Sequence, residues 1–256
     1  MFIFSKKGVH YTVAALVAFF TLAAIGNFQL FISKQTLNYW DAETSVFGAF
    51  VWDLILLLLF IAQHSIMATD WCKQKISSLF CMTVSYRLTY VAATSFALVF
   101  MIFQWLSIPE AYLWFIDTQR HVLLWLFFLM FHALAWLMLA LELVLVDLGE
   151  MIGVSQIVHY HTSLQPPLAE KIKLVKHIYS RMRHPGVVLL TIMLWIHPIM
   201  TLDRLLLACT LTSYMIGRHS FEETQYRFAE QYFKVKVKSP KSRYVTSYQL
   251  YQEDKF

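Results

Sequence analysis

Residues 46–68 read VFGAFVWDLILLLLFIAQHSIMA. A bilayer core of about 30 Å needs about 20 apolar residues in helical form. This run has the length, lacks proline, and holds one carboxylate, Asp53. It predicts a membrane-spanning helix. Three further runs, 9–32, 88–106 and 122–146, meet the same test without internal proline. The composition agrees. Hydrophobic residues make up 58% and charged residues 14% of 256, where soluble domains carry about 45–50% and about 25%. The spans and their connections fill the length, which leaves no room for a soluble domain of ordinary size.

The apolar block 186–217 differs. It is broken at His197-Pro198 and at Asp203-Arg204, so its arms, 186–200 and 203–218, are each about 20 Å long as helix. The expectation is a short helical hairpin that either crosses or re-enters the membrane. Both versions return the chain to its starting side. The fold class expected is therefore all-α: a polytopic membrane helical bundle of about six segments, followed by an amphipathic and basic tail over 219–256.

Lysine and arginine report sidedness. The N-terminus, 69–87, 147–185 and the tail from 218 together hold eighteen, and the alternate connections hold three: Lys34, Arg120 and Arg204. That asymmetry puts both termini on the nucleoplasmic or cytoplasmic side. The basic start before the first run reads as a retained signal anchor, because the apolar run exceeds the core of a cleaved signal. Residues 170–183 (EKIKLVKHIYSRMR) and 219–235 are amphipathic and suit a membrane surface. The following KVKVKSPKSR (234–243) suits anionic lipid. The partners expected are the lipid bilayer, anionic lipid at the tail and proteins of the nuclear envelope. No direct nucleic-acid motif is present.

Ionisable groups within spans are costly and each needs a reason. Asp53 reads as a structural hydrogen bond to a neighbouring helix. Gln63, His64 and Ser65 close the second span. His64 there is an interfacial histidine, a base or a cofactor contact. His132 reads as a satisfied packing residue. Glu142, Asp147 and Glu150 either pair with Lys173, Arg181 or Arg183 or line a polar pocket. His159-x-His161 lacks the partners of a metal site, and no metal is expected. Cys72, Cys81 and Cys209 read as small apolar fillers.

The last third holds the strongest constellation. Arg183-His184-Pro185 enters the hairpin and Glu222-Glu223 follows it. Since the hairpin returns to its starting side, the two ends meet at one interface. They form either a pocket for a ligand with a charged head and an apolar body or an ion-pair cluster that closes the hairpin.

These elements, with Trp195, Pro198, Met200, Thr201, Thr212, Tyr214 and Gly217, resemble the C-terminal core of the isoprenylcysteine carboxyl methyltransferases. The runs WDLILLLLFIAQHSIMA (52–68) and VDLGEMIGVSQI (146–157) look closest to the nurim family of inner nuclear membrane proteins within that superfamily. Related motifs occur in bacterial methanethiol S-methyltransferases. The resemblance implies an S-adenosylmethionine region at the basic face that includes Arg183, His184, Glu222 and Glu223, with Tyr214 and His64 added. It assigns no catalytic residue. Two departures stand out. Val187 replaces a tyrosine of the family pattern, and TQYRFAEQYFKVK (224–236) lacks the expected Phe-Gly. The function it implies is that of a multi-pass inner nuclear membrane protein with a structural or interaction role on a methyltransferase-derived fold. The alternatives are an S-adenosylmethionine-dependent methyltransferase acting on a small thiol or lipid-like substrate, and a lipid-binding protein that uses the same cavity.

Overall fold

The computed structural model describes residues 6–36, 45–80, 86–146, 148–162 and 185–220. The chain is a polytopic membrane bundle of the all-α class, mostly helical among the described residues. Four helices have the length and apolarity to cross a bilayer: α1 (Lys6–Ser33), α2 (Val46–Met67), α4 (Tyr86–Gln104) and α5 (Val122–Val146). Between them α3 (Asp70–Phe80) follows α2. After α5 come α6 (Leu148–Ile152), α7 (Val154–Thr162), α8 (Pro185–Trp195) and α9 (Leu202–Ser220). Met1–Tyr214 forms one compact unit, and within the second, Met215–Phe256, residues 215–220 are helical. The amphipathic stretch 170–183 and the tail beyond 220 lie outside the described residues.

Each predicted span is met by a helix within a few residues. Ser45 caps α2 by accepting the Gly48 N–H at 3.1 Å, as the start of a helix requires. The hairpin differs from expectation. Helix α8 stops at Trp195, ahead of His197-Pro198, because a residue before proline is pushed out of the helical region. Asp203-Arg204 does not break the chain. It lies in the first turn of α9. The break spans 196–201, and there the chain forms a strand that sequence reading did not foresee. Strand β2 (Ile199–Thr201) pairs antiparallel with β1 (Tyr112–Phe115), in the connection between α4 and α5. Pro198, which lacks an N–H, contributes its carbonyl to Ile116 N at 2.9 Å. The aromatic residues of β1 favour an extended backbone.

Several buried polar side chains at this end of the bundle bond across elements. His132, midway along α5, lies 3.0 Å from Ser33 Oγ and 2.9 Å from the Ile196 carbonyl. Trp136 donates to the same Ser33 hydroxyl at 3.0 Å. His132 is thus the satisfied packing residue expected of it, joining α1, α5 and the hairpin turn. Asp53 accepts the Leu106 N–H at 3.0 Å. Asp203 accepts Trp105 Nε1 at 3.0 Å and Ile108 N at 3.2 Å. Two carboxylates therefore hold the chain as it leaves α4. His197 reaches the Lys34 carbonyl at 3.0 Å and Ile199 N at 3.1 Å.

At the basic end, α1 meets α7. Ala14, Leu88 and Ile157 form a buried cluster, with Tyr11, Val17 and Val154 packed on it. His161 faces α1, where its Nε2 lies 3.0 Å from Nδ1 of His10, 151 positions away. Burial, then the nearby His10 and Lys7, hold the half-buried His161 imidazole below its ordinary value of 6.5. A histidine whose folded value is lowered binds fewer protons folded than unfolded. Its contribution is complete above the ordinary value and fades as pH falls below it. Hydrogen exchange of the α7 amides, corrected for intrinsic rate, is expected to be faster at about pH 5 than at about pH 8. His161→Phe should abolish that difference.

Candidate functional site at the basic ends of the helices

Successive helical residues point about 100° apart, so the triplet that ends α2 fans out. Gln63 turns to α4, where its Nε2 lies 3.4 Å from Thr94 Oγ1. His64 also faces α4. The Tyr90 hydroxyl is 3.0 Å from its Nδ1. Ser65 turns to α9, with its Oγ 3.0 Å from the Tyr214 hydroxyl. Rings surround the imidazole. Phe60, one turn earlier, stacks at a centroid distance of 6.1 Å, Tyr90 tilts at 5.4 Å, and Tyr214 stands edge-on at 6.3 Å. Gln63 Oε1 is buried with no hydrogen-bond partner among the described residues. A buried acceptor left open in this way costs about 1–3 kcal/mol unless a ligand or water meets it.

Arg87 extends the site toward the α6–α7 corner. Its guanidinium carbon lies 5.6 Å from the Tyr90 ring centre. Its Nε donates to the Met151 carbonyl at 2.8 Å. The corner exists because Gly153 has φ +99°, a conformation that costs little only for glycine. A Cβ at 153 would stand 3.0 Å from Arg87 Cγ and 3.2 Å from Leu88 N. The run 146–157 therefore presses against the start of α4, while Tyr86 hydrogen-bonds the Met67 carbonyl.

Of the residues singled out in the sequence, His64 and Tyr214 are brought together. Arg183, His184, Glu222 and Glu223 lie outside the described residues, as do Lys173 and Arg181. Helix α8 begins with Pro185, where a first-turn proline belongs. Next to it Gly186 faces Glu142. A Cβ there would come within 2.8 Å of Glu142 Oε2. The acid of α5 is thus seated against the root of the hairpin. Sequence reading missed Arg87, Tyr90 and Thr94. Their signal was present: at spacings of three and four they share one helix face in a largely apolar span.

The arrangement sets the hydrogen-bonding groups of Gln63, His64 and Ser65 among aromatic rings, with the Arg87 guanidinium beside Tyr90. The chain as a whole is similar to known proteins. Over 189 residues the chain is 36% identical to Nurim of Bos taurus, covering 73% of this chain and 71% of that protein. It is 34% identical to Nurim of Homo sapiens over 188 residues, with the same coverage. The Nurim homolog of Drosophila melanogaster matches at 28% over 215 residues, 79% of this chain and 85% of its own. No family model and no solved structure matches. With a third of its residues identical to the vertebrate proteins over nearly three-quarters of its length, the chain belongs to the nurim family.

Proposed function

We propose that this multi-pass membrane protein resides in the inner nuclear membrane, and that its role there is structural or interaction-based on a methyltransferase-derived core. The observation that carries this reading is the extended similarity to the Nurim proteins, which covers nearly three-quarters of the chain. The basic connections, the basic tail and the nuclear envelope proteins they would meet share the nucleoplasmic face in this reading. Imaging of the tagged chain after detergent extraction tests it. A retained nuclear rim is the expected result. A uniform reticular or plasma membrane pattern would overturn it.

A second reading is S-adenosylmethionine-dependent methyl transfer to a small thiol or lipid-like acceptor, and one observation favours it. The cluster around His64 sets aromatic faces beside the open Gln63 Oε1, an acceptor and stacking set that would suit a nucleoside with a cationic centre. Bound there, the cofactor would supply an electrophilic methyl group. Phe60, Tyr90 and Tyr214 would flank it and exclude water, and His64 and Gln63 would orient it. His184, Glu222 and Glu223 complete the region by resemblance. Labelled cofactor should bind purified protein and be lost in His184→Ala and Glu223→Ala. Absence of binding at millimolar cofactor would remove this reading and leave the first.

A further inference from the structure

The sparsely charged side of the chain has three cations, Lys34, Arg120 and Arg204. The fold gathers two of them around one cavity. The space is about 60 Å³, and its polar wall is formed by Lys34, Thr36, Ser107, Thr201, Asp203 and Arg204. These residues come from three separate connections: the end of α1, the exit from α4 and the hairpin turn. Since α1 ends at Ser33 and α4 at Gln104, the cavity lies at the ends of these two helices.

Arg204 is fixed at the wall. Its guanidinium donates to the Ile32 carbonyl and, at 3.5 Å, to the Lys34 carbonyl. It has five N–H donors, so these two contacts leave others for a ligand. Both oxygens of Asp203 already accept hydrogen bonds, from Trp105 and Ile108. The carboxylate therefore braces the wall, and two cations outnumber one acid. Lys34 and Thr36 are exposed at the mouth, while Thr201 is buried within. Two cations and three hydroxyls around a small space match an anion with several acceptor oxygens.

We infer that this cavity binds a phosphate group, carried by a lipid headgroup or free in solution. The inference does not depend on the cofactor reading, which concerns the opposite ends of the helices. The test uses the full chain in detergent, with two probes, short-chain phosphatidic acid and inorganic phosphate. Lys34→Glu keeps the backbone carbonyl that Arg204 and His197 use, so the fold should survive. Arg120→Glu serves as control, because Arg120 pairs with Asp117 and lies off the cavity. Expected is saturable binding of at least one probe, weakened about tenfold or more by Lys34→Glu and unchanged by Arg120→Glu. Binding of phosphatidic acid without competition by inorganic phosphate identifies the lipid source, and full competition identifies the free anion. Equal loss in both variants would reveal bulk charge alone and overturn the proposal. So would binding that is indifferent to Lys34, or no binding of either probe.

Discussion

Gly153→Ala is expected to destabilise the protein by about 1–3 kcal/mol, the clearest single-atom effect in the chain. Two costs combine. The left-handed backbone at φ +99° disfavours any Cβ. The added carbon would also stand 3.2 Å from the Leu88 backbone nitrogen, which cannot swing aside as a side-chain end can. Relief would require the α6–α7 corner to move off α4, and that loosens the Arg87–Met151 bond at 2.8 Å. The loss therefore reaches Tyr90 and the ring cluster around His64. Thermal unfolding in detergent should show a clearly lower midpoint. Gly26→Ala provides the contrast. Nothing lies within 4 Å of a Cβ there, and alanine favours a helix interior over glycine by about 1 kcal/mol, so its midpoint should hold or rise. A Gly153→Ala protein as stable as the parent would show that the corner is not held as described.

The second large effect is expected at the opposite ends of the helices. Asp203→Ala removes the acceptor of two donors, Trp105 Nε1 and Ile108 N. Asp203 is 4% exposed and Ile108 1%, so both lie away from bulk water. Each buried donor left open costs about 1–3 kcal/mol. A total of about 2–5 kcal/mol follows. Asp53→Asn should behave differently. Its amide oxygen can still take the Leu106 N–H, and the oxygen it replaces has no hydrogen-bond partner among the described residues. Its cost should stay within about 1 kcal/mol. If the two variants unfolded together, the separate roles of the two acids would be wrong.

The spans were legible because one rule governs them. Apolar length fixes where a helix can cross, and α2 and α5 follow their runs almost residue for residue. The hairpin break was legible at His197-Pro198 for the same local reason that proline gives anywhere. The strand pair was not. Residues 112–115 and 199–201 are too short to announce themselves, and their pairing depends on a contact more than 80 positions apart. Asp203-Arg204 misled because a charged dipeptide resembles a turn. Its carboxylate in fact braces the exit from α4, and part of its guanidinium holds the end of α1. At the candidate site, the QHS triplet gave His64, and the hairpin resemblance gave Tyr214. Their meeting needed three dimensions. So did the His10–His161 contact, which no spacing within the sequence could suggest.

The placement of His132 has a further consequence for the surrounding lipid. Its partners are the last residue of α1 and the turn after α8, yet ten residues of α5, 122–131, still precede it. As helix these reach about 15 Å past the point where α1 stops, and they carry bare apolar side chains such as Leu123 at 82% and Met130 at 64% exposure. The whole of α5 measures about 37 Å, longer than the hydrocarbon of an average bilayer at about 30 Å. Neighbouring segments of unequal reach oblige the leaflet to thicken locally around α5 or that helix to lean. Either response gives the protein an uneven footprint, and with it a preference among membranes of different thickness.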